Sequence, residues 1–344
     1  MSQPAETIER PSAADPVLTV DGLDVTVSGG ARAVRGVTFT LGRGEAVGLV
    51  GESGSGKSLT CRSALGVLPA GCEVSDGRIT LGAARAGDGE DAELTAFTRK
   101  QWNTVRGSRV GAVFQDPASY LNPSLTVGRQ LAEQLRVGRR LSRTEAHTRA
   151  VALFGAVGLR RADEVFHQYP HELSGGMLQR VLIAVAVSCE PELLIADEAT
   201  TALDVVIQAE ILELLGRLRT ERGLALLLVT HDLAVVAESC DRVLVMYAGE
   251  IIEDGPTAEV LAAPAHPYTE ALLRVASIGT WGRRALDIIP GRPPETGAEL
   301  PGCRFADRCA HAAPECTAGP VALRALDAGR RARCLRPAGS GAAV

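Results

Sequence analysis

GESGSGKS, Gly51 to Ser58, follows the continuous apolar run Ala46–Val50 and precedes a helical stretch from Lys57 to Val67. It matches G-x-x-x-x-G-K-[ST], the phosphate loop of nucleoside-triphosphate binders. The chemistry needs this spacing. Gly51, Gly54 and Gly56 let the backbone N–H groups of Glu52, Ser53 and Ser55 turn inward around phosphates. The following helix aims its positive end at them. Lys57 is set to reach the β and γ phosphates, and the Ser58 hydroxyl to bind Mg²⁺. A chance Gly/Ser turn is the competing reading; the buried strand before it and the helix after it count against that.

Outward from this loop, strands and helices alternate. Val17–Val27, Val37–Leu41, Val110–Phe114, Leu193–Ala196, Ala225–Val229 and Arg242–Tyr247 read as strands. Val205–Arg222 and Leu233–Ser239 read as helices between them. The expected fold is α/β: a P-loop, RecA-like, mainly parallel sheet with helices on both faces. Residues 119–178 interrupt the alternation as a helical insert, with helices expected over Asn122–Val137 and after the capping box Ser142–Glu145. Ala83–Glu93 reads as a loose surface loop. Residues 1–16 and 337–344 read as disordered ends, 17–262 as the ATPase domain, and 263–336 as a small Cys-containing C-terminal appendage.

LLIADE, Leu193 to Glu198, ends an apolar strand in two carboxylates. Asp197 is suited to hold Mg²⁺, and Glu198 to polarise an attacking water as general base. Composition bounds the setting. The chain has 344 residues, a formal net charge of -5 and 3% aromatic residues. A negative balance argues against a nucleic-acid partner. No apolar run approaches the ~18 residues that span a bilayer. The polar start of the chain lacks a signal-peptide core. A cytoplasmic place is therefore expected, where eight cysteines argue against structural disulfides.

Further motifs occur in a fixed order. LSGGM spans Leu173–Met177, Gln115 stands in VFQDP, TALD spans Thr201–Asp204, and His231 stands in VTHD. Together they resemble the signature, Q-loop, D-loop and switch histidine of ABC-type ATPases. FQDPASYLNPSLTVG, ADEATTALDVVIQAEIL, HPYTEALL, GRPP and ELPGCRFADRC resemble the oligopeptide/dipeptide importer branch, which includes nickel importers. The resemblance covers nearly the whole chain and implies an antiparallel β subdomain beside the main sheet. It further implies a head-to-tail pair of ATPase subunits around two ATP molecules. Ser174, Gly175 and Gly176 of one subunit would meet the γ-phosphate held by Lys57 of the other. Gln115 would sense Mg²⁺ and the γ-phosphate, His231 would hold the γ-phosphate and the water, and Asp204 would link the two sites.

The implied partners are two transmembrane permease subunits, a second and non-identical ATPase, and a solute-binding protein. The implied place is the cytoplasmic face of the inner membrane. A nickel or other non-peptide importer is the alternative; a soluble ABC ATPase acting on nucleic acid is a more distant one. Three departures stand out. Val27 occupies the place of the usual adenine-stacking aromatic, Ala199 replaces a Pro, and Met177 ends the signature. Cys303, Cys309, Cys316 and Cys334 cluster at the C-terminal end. By resemblance they are candidates for a [4Fe–4S] cluster; zinc or unligated thiols are the alternatives.

Overall fold

The computed structural model describes residues 16–84, 90–199, 204–276, 288–326 and 329–337. The chain opens with two long strands, β1 (Pro16–Val27) and β2 (Ala31–Gly42), joined as a hairpin. β2 buries Val37, Phe39 and Leu41 at every second position, the period a half-buried strand requires, while β1 buries Val17, Leu18, Val20, Leu23 and Val25 with irregularities that shift its register. β3 (Ala46–Val50) is wholly buried and feeds α1 (Lys57–Leu65). Then come β4 (Glu73–Leu81), the short β5 (Ala92–Glu93) and α2 (Arg99–Val105). β1, β2, β4 and β5 form one four-stranded antiparallel sheet, in the order β2-β1-β4-β5.

β6 (Val110–Phe114) returns to the main sheet, and the insert follows as α3 (Val127–Gly138), α4 (Arg143–Ala156) and α5 (Ala162–Phe166). α6 (Gly175–Val187) leads back to β7 (Leu193–Asp197), α7 (Val205–Arg222), β8 (Ala225–Val229), α8 (Leu233–Ser239) and β9 (Arg242–Tyr247). The chain continues with β10 (Glu250–Pro256), α9 (Thr257–Ala262), α10 (Pro267–Ala276), α11 (Pro314–Ala318), β11 (Arg324–Ala325) and β12 (Arg331–Ala332). The main sheet runs β11-β12-β10-β9-β3-β8-β7-β6. Its five strands from β9 to β6 are parallel; β10, β12 and β11 extend it antiparallel. No helix among the described residues is long and apolar enough to cross a membrane.

Three sequence expectations need correction. The helix expected from Asn122 begins at Val127. Asn122 instead closes a turn, its side chain accepting from the Ser124 N–H at 2.9 Å, and Thr126 caps the helix. The loop expected over Ala83–Glu93 ends in β5, which pairs with β4; residues 85–89 lie outside the described residues. The C-terminal region is not hung from the body. β12 pairs with β10 through Glu253↔Ala332 and Asp254↔Arg331, so residues past 262 widen the main sheet. Asp254, almost fully buried, fixes the seam. Its carboxylate accepts from Arg242 Nε at 2.6 Å and Nη2 at 2.9 Å, and from Arg331 Nε at 2.9 Å. The expected leader lies outside the described residues, save Pro16, which opens β1; of the expected tail only Pro337 is described.

Candidate functional site: a phosphate loop at the strand ends

Parallel pairing aligns the C-terminal ends of four strands. Leu49 lies opposite Val229, Val229 opposite Asp197, and Asp197 opposite Phe114. The residues just beyond these positions therefore share one edge: Gly51, Gln115, Glu198 and, two past β8, His231. That edge is where open α/β sheets place their ligands.

The loop itself is shaped by glycine. Gly51 (φ +152°), Gly54 (φ +80°) and Gly56 (φ +103°) occupy backbone regions that disfavour side chains. At Gly51 a Cβ would overlap the carbonyl oxygen of Met246, on β9 alongside. Lys57 is buried, and its ammonium donates to the Gly51 carbonyl at 2.7 Å and the Glu52 carbonyl at 2.9 Å. Burial lowers its pKa, opposed by the charges of Glu198 and Asp197. The ammonium thus rests across the mouth of its own loop.

Ser58 Oγ donates to Asp197 Oδ1 at 3.0 Å. Burial raises the Asp197 pKa, offset in part by that hydrogen bond and by Arg62, whose Nε lies 3.8 Å from Oδ2. A hydroxyl and a carboxylate this close are the all-oxygen donor set that a hard divalent cation takes, so the residues fit Mg²⁺. Gln115 is exposed one position past β6, the strand next to β7. Glu198 holds a left-handed backbone (φ +52°), and its N–H donates to the Val229 carbonyl at 3.0 Å. His231 Nδ1 stands 4.0 Å from Glu198 Oε1. The edge therefore holds one buried cation, two carboxylates and an exposed imidazole.

The signature segment lies elsewhere. Ser174 caps α6, its side chain accepting from the Met177 N–H at 3.4 Å. Ser174 and Gly175 are exposed, and among the described residues neither bonds to the phosphate loop of the same chain. Gly176 packs against Ile207, where a Cβ would come within 2.8 Å of Cγ2. Ile207 belongs to the first turn of α7, whose cap is Asp204 accepting from the Ile207 N–H at 3.0 Å. The rest of the TALD motif, Thr201–Leu203, lies outside the described residues. Val27 ends β1 opposite Ala31, and Gly297 crowds that hairpin: a Cβ on it would lie 2.5 Å from the Ala31 Cβ. Next to it Glu299 pairs with Arg35 at 3.0 Å and Arg32 at 3.2 Å.

The four C-terminal cysteines line one small cavity together with His266 and His311. Burial pushes the Cys303 thiol up to about 11 and raises those of Cys309 and Cys334. His266 is buried; its Nδ1 accepts from the Tyr268 N–H at 3.0 Å, which leaves the proton on Nε2. Nε2 has no partner. A buried donor without an acceptor, beside four thiols, fits a bound group rich in sulfur acceptors.

Sequence reasoning missed two residues that touch the loop. Tyr268 Oη accepts from the Glu52 N–H at 2.8 Å, which corrects the expectation that this N–H faces phosphates, and Arg308 grips the Glu52 carboxylate through both Nη atoms. Both lie in stretches that resemblance had marked, HPYTEALL and ELPGCRFADRC, but their roles depend on chain folding back over some 200 residues.

Comparison with known proteins agrees with this geometry. The ABC transporter family profile matches residues 34–201, and the oligopeptide/dipeptide transporter C-terminal region matches residues 252–316. The chain is 45% identical over 303 residues to the oligopeptide transport ATP-binding protein AppD of Bacillus subtilis, covering 88% of this chain and 90% of that one. It is 42% identical over 341 residues to the oligopeptide transport ATP-binding protein OppD of Salmonella typhimurium, covering 98% of each. Among solved structures, CbiO1 of Clostridium perfringens, part of the ABC transporter complex CbiONQ, superposes with a TM-score of 0.61 at 32% identity, covering 72% of this chain and 91% of that one. The ATP-binding cassette MJ0796, in a dimeric post-hydrolysis state with ADP and Pi, gives 0.60 at 26% identity, covering 70% and 98%. The chain belongs to the ATP-hydrolysing, ATP-binding proteins of ABC transporters, in their oligopeptide/dipeptide branch.

Proposed function

We propose that this chain binds and hydrolyses ATP to energise a membrane importer of oligopeptides, dipeptides or related solutes. The observation that carries the catalytic part is the shared strand edge, where Lys57, Ser58, Asp197, Glu198 and His231 stand together. Lys57 leaves the two loop carbonyls for the β and γ phosphates. Ser58, Asp197 and Gln115 hold Mg²⁺, which neutralises phosphate charge when bound. Glu198 takes the proton of the attacking water, and His231 orients that water and the γ-phosphate. Ser174, Gly175 and Gly176 complete the site of a facing subunit; the exposure of Ser174 and Gly175 and the cap geometry of α6 support that reading. Asp204 links the two sites beside them.

The facing subunit is a non-identical ATPase of the same family. Two permease subunits dock on the helical insert, and a solute-binding protein delivers cargo. The chain sits peripherally at the cytoplasmic face of the membrane. Residues 17–262 act as the motor and 263–336 as a docked regulatory region. The cysteine cavity holds a [4Fe–4S] cluster on Cys303, Cys309, Cys316 and Cys334; the unpartnered His266 Nε2 supports this. An anaerobically purified sample lacking iron and absorbance near 400 nm would remove the cluster from this account.

The main test uses Glu198→Gln in the complex copurified with its permeases. Turnover should fall by about 10²–10⁴, the usual worth of a general base, while ATP is retained and peptide uptake into vesicles stops. Turnover within threefold of the parent chain would refute the assigned base. ATP-dependent uptake of nickel but not of peptides would favour the metal-importing alternative.

A further inference from the structure

A carboxylate is an unexpected neighbour for a triphosphate, yet the second residue of the phosphate loop is Glu52. All three of its polar groups are held. The N–H donates to Tyr268 Oη at 2.8 Å, and the carbonyl accepts from Lys57 Nζ at 2.9 Å. The carboxylate accepts from Arg308 Nη1 at 2.8 Å and Nη2 at 3.1 Å, a two-pronged ion pair. The Arg308 side chain is 4% exposed. Its remaining donors are also used: Nε on the Pro290 carbonyl at 2.8 Å, Nη2 on the Ile289 carbonyl at 3.2 Å, and Nη1 on Tyr247 Oη at 3.2 Å. A guanidinium has five N–H donors, and here all five are used. Arg308 is therefore fixed before it meets Glu52, and it stands immediately before Cys309 of the cysteine cavity.

We propose that Arg308 is a positioning residue for nucleotide binding: it neutralises the Glu52 carboxylate and draws it aside from the triphosphate path. The inference rests on reading Gly51–Ser58 as the triphosphate site. Without Arg308, a free carboxylate on the phosphate loop repels an anionic ligand whose own charge is several units. The C-terminal region thereby sets ATP affinity from outside the loop. Arg308 lies between Cys303 and Cys309, so a disturbance of the cysteine cavity has a short covalent route to Arg308 and from there passes to Glu52 through the ion pair.

The test is nucleotide binding to the full chain, by fluorescence titration with a methylanthraniloyl ATP, together with KM and kcat. Arg308→Met should weaken binding about 10-fold and raise KM in step, with kcat changed far less. Arg308→Lys, which keeps the charge but loses the fork, should lose about threefold or less. Glu52→Gln should make the Arg308 substitution silent: the double variant Glu52→Gln/Arg308→Met should bind within twofold of Glu52→Gln alone. A purely structural role for Arg308 gives no such rescue, and a double variant as weak as Arg308→Met would overturn the proposal. So would unchanged binding in Arg308→Met while Lys57→Ala binds poorly. If Lys57→Ala itself binds as well as the parent chain, the phosphate-site reading fails first. Should Arg308→Met not fold, Arg308→Lys decides: a double variant Glu52→Gln/Arg308→Lys that binds within twofold of Glu52→Gln alone supports neutralisation, and a double variant weaker than that overturns it.

Discussion

Replacing Asp254 with Asn should loosen the C-terminal region from the motor. Asp254 is 1% exposed and accepts four hydrogen bonds from two guanidiniums, those of Arg242 and Arg331. Asn keeps the shape and one acceptor but removes the charge, and its NH₂ then faces a donor. Breaking a buried ion pair by removing one partner costs about 3–5 kcal/mol. The two arginine side chains are 20% and 35% exposed, so each recovers some hydration when its partner is lost. That places the cost near the lower end, about 3 kcal/mol, or roughly 5 °C in Tm for a chain of this size. The β10–β12 ladder is short, pairing Glu253↔Ala332 and Asp254↔Arg331 with Arg333 N–H donating to the Ile252 carbonyl at 2.8 Å, so the Asp254 ion pairs carry a large share of it. Cleavage by a protease should therefore begin beyond residue 262 before the motor yields. The assay is thermal melting followed by far-UV circular dichroism, with timed trypsin digestion. Glu164→Gln is the comparison, since its pair with Arg161 is solvent-exposed and worth little. A Tm within 1 °C of the parent chain, with an unchanged digestion pattern, would refute the reasoning. Because Arg308 reaches Glu52 from the loosened region, Asp254→Asn should also raise KM for ATP.

Two further outcomes are expected. Gly51→Ala should abolish nucleotide binding in titration, because the new methyl meets the Met246 carbonyl oxygen at a backbone angle of +152°; full binding there would mean that β9 can move aside. Glu299, paired with Arg35 and Arg32, has its pKa depressed to about 2 from 4.5. A depressed carboxylate contributes stability above pH 4.5 and loses it as pH falls through 2. The Tm gap between the parent chain and Glu299→Gln should therefore be steady above pH 5 and shrink between pH 4.5 and 2; a gap independent of pH would count against the pairing.

Much of the motor was legible from local pattern. α7, α8, β8 and β9 begin and end where periodicity and caps place them. Their signals are local: Asp204 and Asp232 cap the two helices, and the strands are unbroken apolar runs. α2 was missed although Thr98 and Gln101 form a full capping box, a signal that was present and not used. Asn122–Leu125 was misread because an apolar count cannot see a side chain closing its own turn. β11 and β12 are two residues each, and no periodicity exists at that length.

The division of labour is clearest at the phosphate loop. Sequence alone marked Gly51 to Ser58 as a loop suited to phosphates, because glycine φ freedom, a lysine and a helix start are properties of neighbouring residues. It also determined the order of the motifs that identify the family. Tertiary structure alone decided that Asp197 meets Ser58, that four cysteines share one cavity with His266, and that Arg308 pairs with Glu52. Those contacts join residues 139 to 256 positions apart in the first and last cases. No local pattern encodes them; they arise because parallel strands align their ends, and because burying Asp254 and Tyr268 brings the last part of the chain back over the first.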